Sequence, residues 1–409
     1  MANVGFAPLT RVETRRLPIL LAATALLVTF CNCGSPDLAR AEDVYNPPQA
    51  RLGRVLTTKD GGQIFGYDID QNGADGVLAS AQTIDAQGDV RVSVETFDQN
   101  TGAITKTFAV YTGKRDEYAV DGIVAGDVGL LTHYVTPPGS IYAQRFYEVM
   151  NPVTAERFTG AWTPPIKDVD IQQVAENQTT TTSVAFVIEL KNQDKPDLIV
   201  SDVGANAILK VIPLDPGLFG VADSPELGQY TAANKAVIAL TPDGGAVHGD
   251  APLNVLVDLA TGKFTQFSGY NNGYYHAGFV NGLAVDPNTG IAATTTELNA
   301  QVEFYDLTKK TGVAAVQLPC TTDVSQYNSG SGIAVDPVHK LFLVTDTYYC
   351  DGSQGSAIVV YDESGNLVET IAGFNFPIGE TAPALNPGKR MGWALGGPAG
   401  LSQLQQFFY

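Results

Sequence analysis

Two stretches 50 residues apart can be laid over one another, and this constrains the fold more than any other feature of the chain. "NGLAVDPNTGIAATTTELNAQVEFYDLTKKTG" begins at Asn281, and "SGIAVDPVHKLFLVTDTYYCDGSQGSAIVVYDESGN" begins at Ser331. Gly282 aligns with Gly332, Asp286-Pro287 with Asp336-Pro337, and Tyr305-Asp306 with Tyr361-Asp362. The later copy carries six extra residues around "YYCDGS". Each copy reads strand, turn, strand, loop, strand, turn, strand. A unit of that kind cannot bury both of its faces alone, so it must stack against further copies.

The recurring residues have physical roles. Asp-Pro followed by polar residues or Gly stops a strand and begins a turn. "GIAV" and "LFLV" are apolar at successive positions, as expected of strands covered on both faces. "ESGN" and "LTKKTG" read as hairpin turns. With this template, Lys235–Phe267 and Thr182–Asp215 read as two more blades, Tyr118–Trp162 as a third and Gly62–Val110 as a fourth. The segment between Pro164 and Thr181 and the stretch "PGLFGVADSPELGQY" give no repeat match. The tail from Thr381 reads as three strands, and "RLGRVLTT" near residue 51 as one orphan strand. Three plus one completes a further blade. The expected fold is all-β: a β-propeller of seven four-stranded blades, closed by N- and C-terminal strands sharing one blade. The two clear copies resemble the NHL and YVTN families of propeller repeats, found in many secreted bacterial proteins. That resemblance implies the fold and leaves the function open.

The first 41 residues stand apart. Arg11, Arg15 and Arg16 precede the apolar run "LPILLAATALLVTF", and "ARA" follows at Ala39–Ala41. This is the layout of a signal peptide, with cleavage expected before Glu42 and a single domain over 42–409. "CNCG" offers a lipid anchor at Cys31 or Cys33 as an alternative, though neither flanking residue matches a lipobox, and "TRRLPIL" hints weakly at twin-arginine rather than Sec export. The expected location is periplasmic or extracellular. The chain carries a net charge of −19, and removing residues 1–41 takes away four basic and two acidic residues, leaving −21. An acidic surface repels phosphate backbones, which argues against a nucleic-acid partner. Beyond the leader there is no long apolar run to span a membrane.

Two cysteines remain after the leader, Cys320 and Cys350. In an exported chain the simplest reading is a disulfide, worth roughly 3–4 kcal/mol for a loop of about 30 residues.

Candidate sites are few. "DIDQNG" places Asp68, Asp70 and Asn72 at alternate positions before Gly73, as acidic loops do around calcium, and resembles the calcium turns of FG-GAP blades. "FVNGLAVDP" resembles a stretch of the gluconolactonase/SMP-30 propellers. That likeness implies a divalent metal at Asn281, with Ser331 at the aligned position. Strand alternation brings three loops to one face: Ser268–Phe279, Cys320–Gly330 and Thr345–Gln354. They gather Tyr270, Tyr274, Tyr275, His276, Tyr327, Tyr348 and Tyr349, residues that give contact area and a hydroxyl at low entropic cost. The same rule puts Cys320 and Cys350 together. Asp346 is expected to cap the second strand of its blade near the channel. His133 and His248 fall on second strands and His339 in a turn on the opposite face. No nucleophile elbow and no phosphate loop is present. The leading expectation is an exported scaffold that binds a small ligand or a protein without catalysis. The alternative is a metal-dependent lactonase or esterase using Asn281, Asp346 and His276. A third reading is a surface-assembly subunit.

Overall fold

The computed structural model describes residues 50–409 apart from 60, 115–117, 125–128, 136–143, 151–168, 177–181, 190–195, 203–204, 206, 216–224, 241–252, 269–279, 297–300, 319–329, 351–352, 377, 379–380 and 398–401. Pro48–Tyr409 form one compact unit. No helix among the described residues is long and apolar enough to cross a membrane.

The described strands build seven antiparallel sheets. The first contains β2 (Gln63–Ile69), β3 (Asp75–Thr83), β4 (Asp89–Asp98) and β5 (Ile104–Lys114). The second contains β6 (Tyr118–Val124), β7 (Gly129–Val135) and β8 (Gln144–Met150). The third contains β9 (Val169–Glu176), β10 (Thr182–Glu189), β11 (Pro196–Asp202) and β12 (Ala207–Pro213). The fourth runs β13 (Glu226–Tyr230), β14 (Lys235–Leu240), β15 (Leu253–Asp258), β16 (Phe264–Ser268). The fifth runs β17 (Val280–Val285), β18 (Ile291–Thr296), β19 (Gln301–Asp306), β20 (Thr311–Gln317). The sixth runs β21 (Gly330–Asp336), β22 (Leu341–Cys350), β23 (Ser353–Asp362), β24 (Leu367–Ala372).

The closing sheet joins the two ends of the described chain. β1 (Arg51–Thr57) pairs with β27 (Gln403–Phe408), which pairs with β26 (Met391–Gly396), which pairs with β25 (Ala384–Asn386). The orphan N-terminal strand therefore lies at the outer edge of a sheet whose other strands come from the tail, as the sequence indicated. Each sheet touches the next through its first strands or through β8 and β9, and the sixth returns to the first through β25. The ring is closed, and this is a β-propeller.

The core lies between sheets. Phe304 and Val302 of the fifth sheet meet Phe342, Val344 and Val359 of the sixth, and the Phe304 and Phe342 rings stand edge to face at 5.5 Å. Each fully buried side chain of this size contributes about 1.5–3 kcal/mol. The third strand β19 is buried at every position, whereas the fourth strand β20 alternates with solvent.

The closing sheet is bonded to both neighbours. The Tyr67 hydroxyl donates to Ala382 O at 2.7 Å, and Gln406 Nε2 donates to Gln99 O at 2.9 Å. On the other side the buried Tyr409 hydroxyl donates to Asp336 Oδ2 at 2.9 Å.

Two blade boundaries differ from the sequence reading. The stretch without a repeat match contains β13, so Lys235 starts the second strand of its sheet, not the first. Likewise β9 lies within the unmatched segment before Thr182, and β10 is a second strand. The reason is visible at β13–β14. That turn has no Asp-Pro; it is a 3-10 turn over Thr231–Ala233 ending on Asn234 at φ 52°.

Candidate ligand-binding face

Every first strand runs the same way, so the turns between strands one and two, and between three and four, share one edge of the ring. Their chemistry repeats. Asp286 Oδ1 accepts the backbone N–H groups of Asn288 and Thr289 at 2.7 and 3.0 Å. Asp306 accepts those of Thr308 and Lys309 at 3.0 and 2.8 Å, and Asp336 those of Val338 and His339 at 2.9 Å each. Asp98 accepts those of Asn100 and Thr101, Asp258 that of Thr261, and Asp362 those of Ser364 and Asn366. An aspartate that accepts the N–H groups two and three residues on is a preformed turn. Gly290 and Gly102 complete two of these turns at φ 73° and 68°, a conformation that glycine adopts freely.

The opposite edge carries the other ends of the strands. Val280 pairs with Thr296, Thr296 with Gln301, and Gln301 with Gln317. In the sixth sheet Gly330 pairs with Asp346, Asp346 with Ala357, and Ala357 with Ala372. The segments 269–279 and 319–329 enter β17 and β21 at this edge. Tyr270, Tyr274, Tyr275, His276, Tyr327 and Cys320 fall in them and lie outside the described residues, as does His248.

The reading of Tyr348, Tyr349 and Cys350 as a loop is corrected. They continue β22, pairing with Gly355, Gln354 and Ser353 of β23. The six extra residues therefore lengthen a hairpin. The signal was in the sequence: Asp-Gly, which follows Tyr348-Tyr349-Cys350, is a dipeptide favoured in two-residue hairpins. For the same reason Asp346 does not cap a strand but lies inside one.

Asp346 is 0% exposed, and among the described residues neither carboxylate oxygen has a hydrogen-bond partner. It shares a face with Val344 and Phe342, two and four residues before it, so it looks toward the fifth sheet. Desolvation pushes its carboxyl up to about 7. Glu226, the first residue of β13, sits at the same edge of its own sheet, and burial lifts its carboxyl to about 8.

A second polar group lies between the fourth and fifth sheets. Glu303 and Tyr305 of β19 and Thr294 of β18 are fully buried. The Tyr305 hydroxyl bonds to Glu303 Oε2 and lies 3.0 Å from Thr294 Oγ1. Burial and the Glu303 carboxylate hold the Tyr305 hydroxyl far above its ordinary titration range. Asn254 of β15 stands against this group, buried, with neither side-chain polar atom hydrogen-bonded in good geometry. Sequence reasoning missed these residues. Apolar and aromatic residues dominate "QVEFYD", and Glu303 within that fully buried strand is itself a signal.

The remaining candidates are placed as follows. Asn281 is half-buried at a bulge at the start of β17, where the register slips between Val280 and Gly282. Asp68 lies inside β2, opposite Val77. Asp70 accepts the Asn72 N–H at 2.8 Å, and its main-chain oxygen accepts the Gln99 amide at 2.7 Å. Lys389 Nζ donates to Gly73 O at 3.2 Å. So protein donors occupy two carbonyls of this turn. Among the described residues no group of three or more His, Cys, Asp or Glu is placed to hold a metal. His133 lies on β7 opposite Val120 and Phe146. His339 sits in the β21–β22 turn, its Nδ1 2.7 Å from Asp336 Oδ2.

No family model and no curated protein matches the sequence. Solved structures do match in fold. The chain superposes on Raptor of Chaetomium thermophilum with a TM-score of 0.58 at 11% identity, covering 93% of this chain and 33% of that one. It spans about a third of that relative's length. A chain of a mitotic checkpoint complex gives 0.51 at 11% identity, covering 94% of this chain and 99% of that one. The Cps50 (Swd1) β-propeller domain of Myceliophteria thermophila gives 0.51 at 12% identity, covering 88% and 99%. At such identities the likeness concerns the propeller fold alone.

Proposed function

We propose that this chain is an exported β-propeller scaffold that binds a ligand or a protein on the face where segments 269–279 and 319–329 enter the ring. One contrast carries the reading. At the edge with the Asp-led turns Asp286, Asp306 and Asp336 each accept two backbone N–H groups, whereas Asp346, toward the opposite edge, is buried with both oxygens unpartnered among the described residues. Buried groups without partners mark places where stability has been given up for another purpose. The likeness of the repeats to NHL and YVTN families, the basic-apolar-small leader and the acidic surface agree with an exported binding protein. The propeller neighbours agree with a scaffold.

The test is cross-linking followed by pull-down of the full chain from its own cell envelope. The triple variant Tyr274→Ala/Tyr275→Ala/Tyr349→Ala alters the proposed face, and Val338→Ser alters the opposite one. Loss of the captured partner with the first and retention with the second is the expected result. Retention with the first, or loss with Val338→Ser alone, overturns the proposal.

A further inference from the structure

Asp346 is an isolated charge by construction. Its lateral neighbours on the same face of the sixth sheet are Gly330, Ala357 and Ala372, none of which has a polar side chain. On the facing side of the fifth sheet the corresponding rows are Ala293 and Phe304, then Gly282, Thr295 and Val302. Among the described side chains, Tyr361 is the titratable group that shares this face, and it pairs with Phe342, two pairs farther along than Val344. The residues lateral to the carboxylate are small, and apart from the Thr295 hydroxyl the facing rows are apolar.

An asparagine here would keep the shape and avoid burying a charge. A carboxylate retained without a hydrogen bond in such a setting is a group awaiting a counter-charge. A divalent metal fits poorly, because calcium takes 6–8 oxygen ligands and the lateral neighbours Gly330, Ala357 and Ala372 carry no side-chain oxygen. A guanidinium fits well. It is a monovalent cation that can meet one carboxylate with two parallel N–H···O bonds, and its stem packs on aliphatic walls. The chain's net charge of −19 favours a basic partner at long range.

We propose that Asp346 is the anchor for an arginine side chain of a protein partner, inserted between the fifth and sixth sheets. This rests on the binding-scaffold reading above and specifies the chemistry of the partner. Because Asp346 is fully covered in the free chain, its cover must move before the arginine enters. Association is therefore slower than the usual 10⁵–10⁷ M⁻¹s⁻¹ for protein pairs.

The experiment uses small probes on the full chain at pH 8, so it does not depend on capturing the partner. N-acetyl-arginine amide is compared with N-acetyl-citrulline amide, which has the same shape without the charge. Methylguanidinium and the capped peptide Gly-Gly-Arg-Gly-Gly complete the set. Binding is read by calorimetry and by the shift in melting temperature. The expected result is binding of the arginine amide at least tenfold tighter than of the citrulline amide. It should be lost in Asp346→Asn and retained in Asp336→Asn, a carboxylate on the opposite edge. The peptide should bind at least as tightly as methylguanidinium. Equal binding of the citrulline amide, undiminished binding in Asp346→Asn, or no binding by the wild type overturns the proposal. Preference for methylguanidinium over the peptide overturns the assignment to a protein partner. If Asp346→Asn fails to fold, Asp346→Glu provides the second reading: it keeps the charge and must keep the discrimination between arginine and citrulline amides. Loss of partner capture with intact probe binding would count against the scaffold reading alone.

Discussion

A single carboxylate shows how burial converts to a pH-dependent property. Asp346 titrates near 7 in the folded chain and near 3.8 in the unfolded one, because water has been removed from around its charge. Below about pH 4 both states hold the proton and the group contributes nothing to the balance. Between about 4 and 7 the folded chain keeps a proton that the unfolded chain has lost, so stability falls as pH rises. Above 7 both states are ionised, and the full penalty, up to about 4 kcal/mol, is in place. Asp346→Asn should therefore melt several degrees above the wild type at pH 8 and close to it at pH 4, as measured by calorimetry. A variant that is less stable at pH 8 would mean that the carboxylate has a structural role. None of this was legible in the string "VTDTYY", where Asp346 reads as a strand end. The strand runs four residues beyond it, to Cys350, which places Asp346 inside the sheet.

At the level of the element, the turns explain why parts of the fold could be read directly. Asp286, Asp306, Asp336 and Asp362 each organise a turn through local hydrogen bonds, so the signal lies within five residues and survives in the sequence. Where the turn is made another way, as at Thr231–Ala233, the repeat vanished from view although the strand pair is the same. Two substitutions test this account. At Gly290 an added Cβ would lie 2.4 Å from the Tyr230 ring, on top of a positive φ, so Gly290→Ala should lose about 1–3 kcal/mol in urea unfolding. Lys340 holds φ 57° with a side chain, so Lys340→Gly should gain roughly 0.5–1 kcal/mol. The Asp68–Asn72 turn belongs at this scale too. With Gln99 and Lys389 donating to its carbonyls, saturating Ca²⁺ against EDTA should move the melting temperature by less than about 2 °C. A rise of five degrees or more would establish a cation there or at Asn281.

For the whole molecule, the shared blade is the decisive feature, and it was readable because arithmetic forced it: three strands at one end and one at the other. The neighbours' identities were not readable, since contacts such as Tyr409 to Asp336 join residues 73 apart with no local pattern. Removing residues 42–58 takes away β1 and uncovers the β27 edge, a template for pairing with another chain. The truncated protein should run as oligomers in size exclusion with light scattering, and adding a peptide of residues 50–58 should restore the monomer. A monomeric truncation with unchanged melting would mean that β1 is dispensable. N-terminal sequencing of the processed chain should begin at Glu42, and a lipid-modified cysteine in its place would correct the leader.

The same pairing sets a timetable. β1 is among the first segments of the compact unit to be made, and its partner β27 among the last. Ring closure is thus impossible until β27 has been made, and the pairing that seals it joins Arg51 to Phe408. Loop closure over such a distance is slow. A chain held open in this way stays unlocked while it leaves the ribosome. For a chain exported as proposed, thread-like passage through a membrane pore then needs no unfolding step, and the ring closes on the far side.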